Sequence, residues 1–217
     1  MEGRILIEEA VAGGWEIEAQ YVDPKGRPVD APGEVFELAP HVMERIASTE
    51  SPQPVLAVVR IPHHSVTELA GASLVVVCDR VSDPGNLGTI LRSAEAAGVA
   101  GVVLVTGSVD PFNPKVVRAS AGALFHVPVV ADVALHDLQY LELPLVGTSS
   151  HQGEPYTSTD LVTPFALVMG SEAHGVDPQL PIDSWVSIPH AGRAESLNVA
   201  MAATVVVFEA ARQRASR

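Results

Sequence analysis

The closing loop of the chain, Ile188-Pro-His-Ala-Gly-Arg-Ala-Glu-Ser-Leu-Asn198, concentrates more polar chemistry than its place in the sequence requires. It runs directly into the apolar stretch Val199–Phe208, and starting that helix needs only one capping side chain. Arg193, Glu195, Ser196 and Asn198 instead offer a cation, a carboxylate, a hydroxyl and an amide at one helix mouth. Such a group can bind a polar ligand and hold it for reaction. A second loop, Met169-Gly-Ser-Glu-Ala-His-Gly175, follows an apolar run. Gly170 and Gly175 there let backbone come close to a ligand, and Glu172 between them is an acceptor or loop clamp. His174 reads as a solvated loop histidine. A third loop, Asp79-Arg-Val-Ser-Asp-Pro-Gly-Asn86, turns at Pro84-Gly85 and is expected to be capped by Asn86 as a helix begins. Arg92 emerges from the flank of that helix, where pairing with Glu95 is the plain alternative to binding a ligand. The glycine spacings of a dinucleotide site and of a phosphate-binding P-loop are both missing.

Apolar strands alternating with helices must carry these loops. From Ser73 onward, strands are expected at Leu74–Asp79, Gly101–Thr106, Val127–Val130, Pro144–Thr148, Ala166–Gly170 and Trp185–Pro189. Unbroken apolar runs of this length suit parallel strands covered on both faces. Helices are expected near Asn86–Ala97, Pro114–Gly122 and Val133–Leu141, with a long one closing the chain. The fold class is therefore α/β with a parallel sheet, and ligands bind such sheets at the carboxyl ends of their strands. The closing helix is apolar on nearly every side and is expected to be buried all round. Residues 1–60 read as a smaller α/β unit. Helices are expected near Ile5–Ala12 and Pro40–Ala47, and strands near Ile17–Val22, Val35–Leu38 and Pro54–Val59. The boundaries are 1–62 for this unit, 63–71 for a linker and 72–217 for the second domain.

Composition narrows the class. The chain has 217 residues, 47% hydrophobic and 18% charged, which suits a globular protein with a real core. No run approaches the roughly 18 apolar residues of a membrane span, and no signal pattern opens the chain. A cytoplasmic location and no membrane partner are expected. The one cysteine, Cys78, excludes an intrachain disulfide and a cysteine metal cluster, and no metal site is expected. The net charge is −13. Sequence-independent binding of nucleic acid draws on many phosphate contacts, so any polyanion site has to be a local basic patch.

Together the loops carry a resemblance. The strings NLGTILRSAEAAG (86–98), LVMGSEAHGV (167–176) and IPHAGRAESLNVAMAA (188–203) occur in this order. They resemble the three motifs of the SpoU (TrmH-like) family of RNA ribose 2′-O-methyltransferases, in the SPOUT superfamily. The stretch Asn113-Pro-Lys-Val-Val-Arg-Ala-Ser-Ala-Gly122 is similar to the family's segment between the first two motifs. The resemblance covers about residues 73–213. The N-terminal stretches Met1–Ala10 and Ala47–Val59 resemble the ribosomal-protein-like RNA-binding domain of many relatives, without its first basic helix. Two departures are Ala173, where relatives often have glycine, and His190 after Ile188-Pro189.

The resemblance implies a deep C-terminal trefoil knot, S-adenosyl-L-methionine as cofactor, structured RNA as partner (ribosomal before transfer RNA), and a homodimer with the site at the subunit interface. It places the cofactor against Thr148, Met169, Gly170, Gly175, Ile188 and Leu197. It makes Arg92 the residue that acts on the 2′-hydroxyl with the RNA phosphate. A guanidinium stays protonated at neutral pH, so phosphate binding is the firmer role. Asn86, Glu172, Ser196 and Asn198 would organise the loops and the target nucleotide, and Lys115, Arg118 and Arg193 would supply the basic patch. The acidic balance keeps a second reading in view, a non-catalytic RNA- or ribosome-binding protein on the same fold. A nucleotide-binding metabolic enzyme is a third, but every phosphate-loop spacing is missing.

Overall fold

The computed structural model describes every residue of the chain except Ser48, Glu50, Glu172, Ala194 and Arg217. It divides into two compact units, Met1–His63 and His64–Arg217.

In the first unit, α1 (Arg4–Ala12) buries Ile7 and Ala10. A three-stranded sheet is ordered β2 (Glu34–Glu37), β1 (Ile17–Val22), β3 (Val55–Val59). β1 pairs parallel to β2 and antiparallel to β3. The short α2 (Val42–Ile46) buries Met43. Gln20 is the buried polar residue of β1, and it is satisfied at both ends. Its Nε2 donates to the carbonyl of Val29 at 2.9 Å, and its Oε1 accepts from the amide of the same residue at 2.8 Å.

The second unit is built on seven parallel strands in the order β6-β5-β4-β9-β7-β10-β8. These are β4 (Leu74–Cys78), β5 (Gly101–Val105), β6 (Val129–Val133), β7 (Leu145–Ser149), β8 (Glu154–Pro155), β9 (Phe165–Met169) and β10 (Ser184–Ser187). β4, β5 and β9 are buried at every residue, as strands covered on both faces must be. The helices are α3 (Pro84–Ala96), α4 (Pro114–Ala119) and α5 (Val199–Ala215). A side chain at Gly88 would collide with Ala119, so that glycine sets the close approach of α3 and α4. Ser93 and Thr204 share a 2.6 Å hydroxyl hydrogen bond that ties α3 to α5.

Several expectations change. Val133 ends β6, and the helix expected from there is a 3₁₀ helix over Leu135–Leu141. Leu135, Leu138 and Leu141 recur every third residue, which aligns on one face only in a three-residue turn, and the latter two are buried. Residues 63–71, expected as a linker, include a 3₁₀ helix at Val66–Leu69, whose Val66 and Leu69 join the core of the second unit. α4 stops at Ala119, and Gly122, at φ 100°, opens a separate 3₁₀ turn. The two-residue β8 has no apolar run to announce it. The closing helix is not buried all round within one chain: Val199, Ala203, Val206, Val207 and Ala210 face inward, while Met201 and Phe208 are 61% and 46% exposed.

Candidate functional site

Loops leaving the carboxyl ends of β4, β7, β9 and β10 bring the polar residues together. The first begins at Asp79, whose side chain is fully buried. A carboxylate is costly to bury unless charge-assisted bonds replace its water, and here they do. Arg80 donates from Nε to Oδ1 at 2.9 Å and from Nη2 to Oδ2 at 3.3 Å. The Asp177 amide donates to the same Oδ2 at 2.6 Å. Nη1 of Arg80 lies 3.1 Å from a carboxylate oxygen of Asp177. The bond to Asp79, followed by the attraction of Asp79 and Asp177, raises the pKa of the Arg80 guanidinium above its ordinary value. Asp79, Arg80 and Asp177 thus lock the loop after β4 to the loop after β9. Sequence reasoning missed this trio. An aspartate closing an apolar strand was the available signal, but its partner stands 98 residues away.

Asp83, not Asn86, caps α3. Its Oδ1 accepts from the Asn86 amide at 2.8 Å, and Pro84 occupies the first helical position, where no amide hydrogen is needed. The Asn86 side chain is released to accept, at Oδ1, a 2.8 Å hydrogen bond from Asn198 Nδ2. Asn198 is itself the cap of α5, its Oδ1 accepting from the amides of Ala200 and Met201 at 2.9 and 3.2 Å. This amide pair fastens the starts of α3 and α5 to each other.

A cavity of about 680 Å³ opens at the strand ends, and Thr148, Met169, Gly170, Gly175, Ile188 and Leu197 all line it, with Ser196 and Asn198. Thr148 Oγ1 donates to the Val168 carbonyl at 3.1 Å, holding the end of β7 against β9. Ser171 and Gly175 exchange backbone hydrogen bonds of 3.0 and 2.9 Å. At Gly170 the wall is bare backbone, and a Cβ there would overlap Gly175 and Val176. Ser149, Ser150 and His190 also line the cavity. Among the described residues nothing bonds to Nε2 of His190, although that atom is buried.

A second cavity of about 600 Å³ is lined by Arg80, Ser82, Asp83, Asn86, Ser171, Ala173 and His174. Ser171 and His174 belong to both cavities, so the two adjoin. Arg92 lines neither. It is exposed on α3 and forms no ion pair with Glu95 or any other described residue. Lys115 and Arg118 are exposed on α4, and Arg193 is exposed in the closing loop. Glu172 lies outside the described residues. Among those described, no group of three or more His, Cys, Asp or Glu is arranged to hold a metal.

The chain is thus an α/β protein with two adjoining cavities at the carboxyl edge of a parallel sheet. Comparison with known proteins gives the family. Residues 73–208 match the SpoU rRNA Methylase family, and the chain belongs to it. Residues 1–57 match the MRM3-like substrate binding domain. The chain is 37% identical over 216 residues to the 23S rRNA (guanosine(2553)-2′-O)-methyltransferase RlmP of Bacillus subtilis, covering 96% of this chain and 86% of that protein. It is 36% identical over 197 residues to the 23S rRNA (uridine(2479)-2′-O)-methyltransferase of Streptomyces viridochromogenes, covering 84% of this chain and 69% of that one. The crystal structure of the SpoU methyltransferase AviRb from Streptomyces viridochromogenes, in complex with AdoMet, matches with a TM-score of 0.89 at 32% identity. That match covers 100% of this chain and 90% of AviRb.

Proposed function

We propose that this protein transfers a methyl group from S-adenosyl-L-methionine to a ribose 2′-hydroxyl of ribosomal RNA, in the cytoplasm. One observation carries the reading: the six residues assigned to the cofactor from sequence motifs line a single cavity, and a second polar cavity adjoins it. The first cavity fits an adenosyl amino acid. Ile188 and Leu197 offer apolar walls for a flat base, Gly170 leaves backbone open to it, and Thr148, Ser149 and Ser150 offer hydroxyls for the polar parts. The buried, unpartnered Nε2 of His190 marks a place where a ligand atom belongs.

The cofactor, when bound, supplies a sulfonium methyl group. The protein's part is positioning, which by itself can contribute most of such an acceleration. Asn86 of the second cavity and Asn198 of the first hold each other, and Ser196 faces the first. Arg92 binds the phosphate beside the target ribose, and Lys115, Arg118 and Arg193 extend the cationic path that a chain of net charge −13 needs. The N-terminal unit contributes to holding the RNA. A second copy of the chain covers the open stripe of α5 and completes the site around Arg92. The family's trefoil knot belongs to the same reading.

The test combines calorimetry with S-adenosylmethionine and transfer of a labelled methyl group to an unmodified 23S rRNA transcript. Cofactor binding with label in ribose is expected. Cofactor binding with no transfer to any ribosomal RNA would favour a non-catalytic RNA-binding role.

A further inference from the structure

We propose that the second cavity receives the base of the target nucleotide, and that Arg80 and Asp83 select guanine. The inference rests on the methyl-transfer reading, which puts the target ribose where the two cavities meet. At about 600 Å³ the cavity has room for a purine nucleotide. Its charges argue against a phosphate. Arg80 is already compensated by Asp79 and Asp177, and Asp83 adds a further carboxylate to the lining. A neutral group that hydrogen-bonds well is the better occupant.

The donors and acceptors left over say which one. A guanidinium has five N–H groups. Nε and one N–H on Nη2 donate to Asp79, while Nη1 only forms an ion pair with Asp177. At least one N–H therefore remains on each terminal nitrogen of a guanidinium anchored by two carboxylates. Asp83 uses Oδ1 for the α3 cap, and Oδ2 has no partner among the described residues. The cavity thus offers two donors from one planar group and one carboxylate acceptor. Guanine alone among the four bases carries two adjacent acceptors on one edge, O6 and N7, which an arginine fork matches. Its N1–H and exocyclic amine are donors that a carboxylate accepts.

Two variants test this, with cofactor affinity reporting whether the loops stay in place. Asp83→Asn keeps a good helix cap, and Arg80→Lys keeps a cation beside Asp79 but loses the fork. The substrate is an unmodified 23S rRNA transcript with labelled S-adenosylmethionine, digested to nucleosides after reaction. Label is expected in 2′-O-methylguanosine. Either variant should lower kcat/KM on that transcript by roughly 5- to 150-fold. Either should also shrink the preference over a transcript carrying adenosine at the same position, with cofactor affinity unchanged. Label in another nucleoside, or an unchanged guanosine-to-adenosine ratio in both variants, would overturn the inference and leave methyl transfer standing. No label at all with cofactor bound would overturn the methyl-transfer reading beneath it.

Discussion

Asn86 and Asn198 carry little meaning as isolated letters, yet the 2.8 Å bond between them joins positions 112 residues apart. Their presence in polar, glycine-marked loops was legible in the sequence, because such loops punctuate long apolar runs. Their partnership was not, since only the fold brings the starts of α3 and α5 together. The Asp79–Arg80–Asp177 lock was hidden for the same reason. Arg92 was legible as a cation on a helix flank, and its exposure leaves it available to an anion. Replacing it with alanine should lower kcat by roughly 10²- to 10³-fold, the loss typical of one charge-stabilising donor, while calorimetric affinity for S-adenosylmethionine holds. An equal loss of cofactor affinity would contradict its place on the RNA side. His190→Leu probes the other cavity. Removing a buried unpartnered nitrogen should raise the Tm of the cofactor-free protein by about 2–4 °C and weaken cofactor binding. A lower Tm with unaltered binding would count against that role.

The elements were readable wherever apolar pattern alone decides. β4, β5 and β9 are buried throughout, and their unbroken apolar runs announced it. Helix starts were harder to place, since Asp83 and Asn86 are both acceptable caps and Pro84 at the first position decides for Asp83. The end of α5 makes a pH prediction. Hydrogen bonds from Arg212, then from Gln213, lower the Glu209 pKa from 4.5 to about 2. Gln213 in turn holds the Thr159 carbonyl and the Leu161 amide. A depressed carboxyl pKa adds stability that is complete above the unfolded value and lost as pH falls toward the folded one. Between pH 5 and 2 the wild type should therefore lose Tm more steeply than Glu209→Gln. Parallel acid limbs in thermal unfolding would show that this cluster does not anchor the helix.

At the scale of the whole molecule, the strand order β6-β5-β4-β9-β7-β10-β8 sets the four site loops along one edge of the sheet. Alternating strands and helices made a parallel sheet legible, but the strand order depends on long-range pairing that local pattern does not encode. The exposed Met201 and Phe208 stand seven residues apart, two helical turns on one face of α5. If two copies pair through this face as proposed, a double variant, Met201→Glu with Phe208→Glu, should sediment at half the mass of the wild type and lose methyl transfer. A wild-type protein that already sediments as a monomer would remove this contact from the account. Ribose modification of ribosomal RNA by so acidic a chain can be read in the RNA itself. Because a 2′-O-methyl group blocks alkaline cleavage of the adjoining phosphodiester, the most direct measurement maps alkali-resistant positions in ribosomal RNA from cells with the gene, without it, and with the Arg92→Ala form. One resistant position is expected, which disappears without the gene and is not restored by Arg92→Ala. An identical map in all three would contradict it.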